Sequence, residues 1–203
     1  SSRYLAPICV GGCYVSFFYD FLLCYLMPFK LMTLFIPAET KQQFNQIAKL
    51  ADVIWREHYT PIIGIDQVEY MIKKFQSTET MYTQYTNGYQ YFMIFYDNQL
   101  VGYLSIQKQK KKLFISKIYI SKEMRGKKIG KETLLFIQKK AKDMTCNTLE
   151  LGVNKNNMNA IAAYEAFGFK NKGSMVTDIG SGYIMDDYKM VKSLMDQTSN
   201  KSL

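Results

Sequence analysis

Between Phe114 and Lys131 the chain reads FISKIYISKEMRGKKIGK. Its first part alternates, with Phe114, Ser116, Ile118 and Ile120 on one parity and Ile115, Lys117 and Tyr119 on the other, which is the period of a strand. A polar turn follows at Ser121–Met124, then the basic, glycine-punctuated run Arg125-Gly126-Lys127-Lys128-Ile129-Gly130, and then LLFIQKKAKDM with helical spacing. A strand that delivers such a turn onto a helix start collects free backbone N–H groups, the positive end of a helix dipole and cationic side chains. That combination holds a phosphate.

Composition narrows the setting. The 203 residues carry enough apolar side chains (48%) for one domain with a sizeable core. The formal charge of +9 is compatible with nucleic acid, an anionic membrane or an anionic small molecule. The densest basic run, Lys108, Lys110, Lys111 and Lys112, falls between two strand-like segments and reads as a solvated hairpin, so no nucleic-acid partner is expected. Three of the four cysteines lie in the first 24 residues, leaving only Cys146 beyond them. That usage excludes a disulfide framework and fits a reducing cytoplasm. With His58 as the one histidine and no zinc-ligand spacing, no metal is expected.

Residues 1–31 stand apart. Tyr4 to Phe29 contains a single charged residue, Asp20, and has the length of a membrane span. It also carries Pro7, Pro28 and Gly11-Gly12, and it lacks a basic leader. The preferred reading places 1–31 outside the functional domain, as upstream sequence translated in frame, with the domain at 32–203. A membrane anchor over 4–29 is the alternative.

From Met32 onward the pattern alternates between elements. Thr33–Ile36, closed by Pro37, predicts an edge strand. Phe44, Ile47, Leu50, Ala51 and Ile54 predict a helix ending in Trp55-Arg56-Glu57-His58-Tyr59, broken at Thr60-Pro61. Asp66 is the expected cap of a second helix bearing Val68, Met71, Ile72 and Phe75. Tyr89–Tyr96 and Leu100–Gln107 flank a turn at Asp97-Asn98 and predict a hairpin. After the opening strand and its helix come a strand at Thr148–Val153, a helix at Asn157–Phe167 stopped by Gly168, and strands at Phe169–Thr177 and Gly182–Val191. The fold class is α/β, with a mixed, mostly antiparallel sheet flanked by helices.

Three features in this order resemble the GNAT-type N-acetyltransferase superfamily: the strand–turn–helix around Arg125–Gly130, the strand Leu149-Glu150-Leu151-Gly152-Val153, and NKNNMNAIAAYEAFGF from Asn154 to Phe169. The likeness covers about 33–192. The second half looks nearest to the bacterial spermidine/spermine acetyltransferase branch, through IYIS, LGVNKNNMNAIAAYEAFGF and DDYKMVK. The resemblance implies the GNAT acyl-CoA fold, acetyl-CoA as co-substrate and a primary amine, with polyamines first, as acceptor. It also implies that the backbone of Ile118, Tyr119 and Ile120 binds the pantetheine arm. Arg125, Gly126, Lys127, Lys128, Ile129 and Gly130 would hold the pyrophosphate. Asn157 would meet the cofactor, and Tyr164 would protonate the departing thiolate, a task a phenol can perform at neutral pH. Family members are often dimers, which adds a homodimer to the expected partners.

Two positions depart from the family pattern. Lys128 stands where a glycine is usual; if that residue needs positive φ, lysine is a burden, and if it is helical, it adds an N–H and a charge. Ser116 stands where relatives often carry the general base. His58 has a suitable intrinsic pKa for that role, and Glu57, His58 and Tyr59 are placed by family analogy at the acceptor mouth, with Ser116 able to hold a water. Packing for Tyr164 and helix capping for Asn157 are the plain structural alternatives. An acidic mouth for a polycation would draw on Glu57, Asp66, Glu69 and Glu79. Acceptance of protein amino groups, and a non-catalytic acyl-CoA-binding or nucleic-acid-binding module, are the competing functions.

Overall fold

The computed structural model describes residues 32–195; the reading of 1–31 as upstream sequence or anchor falls outside them. Seven strands form one sheet in the order β1-β2-β3-β4-β5-β7-β6: β1 (Thr33–Ala38), β2 (Gln90–Tyr96), β3 (Gln99–Gln109), β4 (Lys112–Ile120), β5 (Thr148–Asn154), β6 (Lys170–Gly180) and β7 (Tyr183–Ser193). Every neighbouring pair is antiparallel except β4 and β5. This is the mixed, mostly antiparallel sheet that the sequence predicts.

Alternation along the strands divides the core in two. Phe92 and Ile94 of β2 pack with Ile129, Leu134 and Ile137 of α4 (Ile129–Asp143) and with Ile161 of α5 (Met158–Ala166). Tyr91 and Met93 of the same strand face α1 (Lys41–Ile63), α2 (Ile65–Phe75) and α3 (Thr78–Thr86), through Phe44, Ile47, Val68 and Met81. Helices therefore cover both faces, and each buried Ile or Leu contributes about 1.5–3 kcal/mol.

The front helices differ from expectation in three places. Helix α1 begins in a reciprocal cap, Thr40 with Gln43, and runs through Pro61 to Ile63 instead of breaking at Thr60. Proline removes only one backbone donor this near the end, and Gly64, at φ 81, closes the helix by donating to the Thr60 carbonyl at 3.0 Å. Gly64 then caps α2, while Asp66 sits in its first turn rather than at the cap. Helix α3 is unexpected, since Met81 is its one buried residue; Ser77 nucleates it by accepting from the Thr80 N–H.

Strand β4 holds the most consequential irregularity. Lys117 opposes Ser105 and Ile115 opposes Ile106, so Ser116 is an extra residue with no partner in β3. The bulge exchanges the faces of everything beyond it. Ile115 before it and Ile118 and Ile120 after it all meet the α4–α5 core, while Tyr119 meets the α1–α3 side. The single parity from Phe114 to Ile120 that the sequence suggests is therefore broken at Ser116.

Candidate active site

β4 and β5 pair only over Lys112–Ile115 and Thr148–Leu151, yet β4 continues to Ile120 and β5 to Asn154. Beyond Ile115 the main chain of β4 thus has no strand partner on the β5 side, a row of donors and acceptors facing a gap. A cavity of about 860 Å³ occupies that gap and reaches both faces of the sheet. Its walls include Ser116–Ile120 of β4, Leu151–Asn154 of β5, and Asn157, Ala163 and Tyr164 at α5. On the other face they include Trp55, His58 and Tyr59 of α1, Met71 and Phe75 of α2, Met175 of β6, and Met185 and Asp187 of β7.

One end of the cavity is the start of α4. Gly126 has φ 79, and Lys128, the residue before the helix, has φ 66 and ψ 2. The position that relatives fill with glycine is thus left-handed here, and a lysine in it carries strain of about 1–2 kcal/mol. No side chain caps α4, so the N–H groups of Ile129, Gly130 and Lys131 remain available while the fully buried Ile129 fixes the helix against the core. Arg125, Gly130 and Lys131 line the cavity at this end. Such an uncapped, cation-flanked helix start fits the pyrophosphate of coenzyme A.

Asn157 begins α5 and does what its capping alternative requires, accepting from the Ala160 N–H at 3.3 Å. The residue is 8% exposed, and its side chain lies beside His58 and Tyr59, so the last turns of α1 meet the start of α5 across the gap. His58 is driven below its ordinary pKa by burial and by the Arg125 guanidinium, which leaves it neutral at pH 7. Tyr59 is raised to about 12, chiefly by burial. It belongs to an aromatic wall with Trp55 and Tyr119, at ring separations of 4.5 and 6.3 Å. Tyr164 projects toward the same place from the opposite helix. Although half-buried as a residue, its hydroxyl is densely surrounded, and burial followed by the neighbouring Tyr59 pushes the phenol well above its usual value.

Sequence reasoning missed two charged residues in these walls. Lys117, turned by the bulge toward the α1–α3 side, is 6% exposed, and its ammonium donates to the Phe75 carbonyl at 3.2 Å, at the C-terminus of α2. Burial lowers it to about 8. Asp187 opposes Asn154 across β5 and β7 and is raised to about 6, first by burial and then by the adjacent Asp186. A signal for Asp187 was present: consecutive carboxylates in a strand must point to opposite faces, so one of Asp186 and Asp187 meets the helix-covered side.

The acidic residues expected at the mouth lie elsewhere. Glu57 pairs with Lys122 at 3.5 Å, Glu69 with Arg56, and none of Glu57, Asp66, Glu69 and Glu79 lines the cavity. Gly126, Lys127, Lys128 and Ile129 shape the loop without forming cavity wall, whereas His58, Tyr59 and Ser116 do line it. Lys108, Lys110 and Lys111 are exposed around the β3–β4 turn, and Lys112 pairs with Glu150 at 2.8 Å. No helix among the described residues is long and apolar enough to cross a membrane.

Comparison with known proteins agrees with this geometry. The model of the acetyltransferase (GNAT) family matches residues 48–169, more than half of the chain. No curated protein matches. Among solved structures, the PaiA N-acetyltransferase of Thermoplasma acidophilum, in complex with coenzyme A, is 22% identical with a TM-score of 0.66, covering 79% of this chain and 99% of its own. YncA from Salmonella typhimurium, a structure with acetyl-CoA, is 13% identical with a TM-score of 0.56, over 86% of this chain and 99% of its own. A GCN5-related N-acetyltransferase of Rhodopseudomonas palustris is 15% identical with a TM-score of 0.67, covering 80% and 96%.

Proposed function

Because the chain belongs to the GNAT acetyltransferase family, we propose that it moves the acetyl group of acetyl-CoA onto a small primary amine. The observation that carries this is the parting of β4 from β5 beyond Ile115, beside an uncapped α4. It supports one long ligand, with phosphates at Arg125–Gly130 and a pantetheine arm as a false strand along Ile118–Ile120. The thioester would then lie where the two faces of the sheet communicate.

The neutral acceptor amine attacks the thioester carbonyl carbon, forming the N–C bond. Main-chain N–H groups of the Ile118–Ile120 segment hold the oxygen as it gains charge. The C–S bond then breaks, and the Tyr164 hydroxyl gives its proton to the sulfur. A phenol raised by burial is a weaker acid, but a thiolate released into the same dry site is raised for the same reason, so the difference that governs transfer stays small. Asn157 ties the start of α5 to α1, and His58 and Tyr59 form the acceptor wall, with His58 and a Ser116-held water as candidate routes for the first proton.

A thiol-release assay with acetyl-CoA and a panel of primary amines tests the reading. Turnover should appear with at least one amine, and Tyr164→Phe should lower kcat about 100-fold with acetyl-CoA affinity unchanged. Full turnover by Tyr164→Phe would remove it as the acid, and no turnover with any amine would remove the acetyl-transfer reading. Polyamines belong in the panel, although the acidic residues that would favour them lie off the cavity.

A further inference from the structure

An amine acceptor arrives protonated and enters a cavity whose walls carry the cationic side chains of Lys117, Arg125 and Lys131. Against these stands a single carboxylate among the described wall residues, that of Asp187. It forms no salt bridge among the described residues; the cation that acts on it, Lys155, is paired with Asp186 instead. It is half-buried on the α1–α3 side of the sheet and borders Gly152, whose missing Cβ would stand 3.2 Å from Asp187 Oδ2. Tyr119 and Tyr59 are the titratable groups that approach it from β4 and α1. Tyr164, packed on the α4–α5 side, acts on Tyr119 and is acted on by Tyr59, so the same two tyrosines link acid and carboxylate. Around it the acceptor half is lined by Trp55, Met71, Phe75, Met175 and Met185, with Gln67, Gln76 and Gln84 as uncharged polar groups.

We propose that Asp187 is the acceptor-ammonium site and general base, and that, as the single carboxylate among the described wall residues, it selects an amine with one positive charge on a largely apolar body. This rests on the acetyl-transfer reading above and names its missing base. Asp187 carboxylate accepts a proton from R–NH₃⁺, leaving R–NH₂ to attack; Tyr164 supplies a proton to the sulfur. The attacking nitrogen gives up its second proton as the C–S bond breaks, which restores the Tyr164 phenol, and Asp187 releases its proton to solvent, so the sum is amide, coenzyme A and one proton. A side chain at 152 would crowd both Asp187 and Met175, so glycine there keeps the carboxylate unobstructed from β5. A second ammonium would enter the same cavity with no carboxylate to meet it, which is costly. A carboxylate held near neutrality by burial and by Asp186, with Lys155 opposing, is matched to removing a proton at physiological pH.

The test uses Asp187→Asn in the full chain, with pentylamine and its diamine counterpart cadaverine. In the wild type, pentylamine should exceed cadaverine in kcat/KM by about tenfold or more. Asp187→Asn should lower kcat/KM for pentylamine about 100-fold, abolish the acidic limb of its pH profile and leave acetyl-CoA affinity unchanged, with partial recovery in Asp187→Glu. Binding is read separately from the fluorescence of Trp55, the one tryptophan of the chain, which lies in the cavity wall. Pentylamine should quench it in the wild type and not in Asp187→Asn. Wild-type kcat/KM and pH profile in Asp187→Asn would overturn the assignment, as would quenching that ignores the substitution or is absent from the wild type. Preference for cadaverine would overturn the acceptor class. Quenching that depends on Asp187 without any acetyl transfer would retire the acetyl-transfer reading and the base role while leaving the ammonium site standing.

Discussion

Replacing Lys117 with methionine should make the protein more stable at neutral pH. The lysine is 6% exposed, has the Phe75 carbonyl as its hydrogen-bond partner, and is lowered by burial from 10.5 to about 8. A folded-state pKa below the unfolded one means that the folded chain binds the proton less tightly. The penalty is therefore fully present below pH 8 and is relieved as pH rises toward 10.5. The gap of about 2.5 units corresponds to about 3.5 kcal/mol, at about 1.4 kcal/mol per pKa unit. Methionine keeps the packing volume but forfeits the bond to the α2 C-terminus, which contributes about 1 kcal/mol. The net gain at pH 7 is about 2.5 kcal/mol, or about 5–10 °C in Tm for a chain of this length. By pH 9.5 the wild type recovers about 2 kcal/mol through loss of its own proton, so the advantage should shrink toward zero. Urea unfolding of both proteins at pH 7 and 9.5 measures this, and the difference between them cancels the titration of the many tyrosines. A Lys117→Met protein that is less stable at pH 7, or whose advantage is the same at both pH values, would refute the account of Lys117 as a desolvated cation.

Two further outcomes follow from local geometry. Lys128→Gly should raise stability by about 1 kcal/mol, because it releases a left-handed residue, whereas Lys128→Ala loses the same charge and keeps the strain. Thermal melts of the pair separate conformation from charge, and equal melting temperatures for Gly and Ala would contradict the strain. Asn157→Ala should cost about 1 kcal/mol through loss of the α5 cap, read by chemical denaturation; an unchanged midpoint would show that the Ala160 N–H finds another partner.

The residues of Phe114–Lys131 made the strand, the anion-holding turn and the following helix legible because each carries a local signal: period, glycine and charge. The division of helices between the two faces of the sheet was not in that signal, since it depends on which parity of each strand meets which helix. The bulge was equally hidden. Apolar residues occur at Ile115, Ile118 and Ile120, and a continuous strand and an interrupted one accommodate them alike until β3 sets the register. Nothing local marks Lys117 as a buried residue, yet the shifted register turns it inward. Pro61 suggested a helix break because local propensity opposes it there, yet the packing of Trp55 and Tyr59 against Tyr119 keeps α1 running past it. His58 and Tyr59 line the cavity. Glu57, one residue earlier in the same turn, faces away toward Lys122, because adjacent helical residues are about 100° apart.

Ser116 also makes the site sensitive to arithmetic. Strand β4 is written in two phases, and the odd residue between them is the shift key. Its own side chain can be exchanged with little effect on the ladder, since it has no place in it. Its removal is another matter: the count from Ile115 to Ile120 would return to simple alternation. Lys117 and Tyr119 would turn to the α4–α5 side, and Ile118 and Ile120 would turn into the acceptor half. A protein built this way tolerates a change of letter at 116 far better than a change of length, because losing that one codon would rearrange the walls on both faces at once.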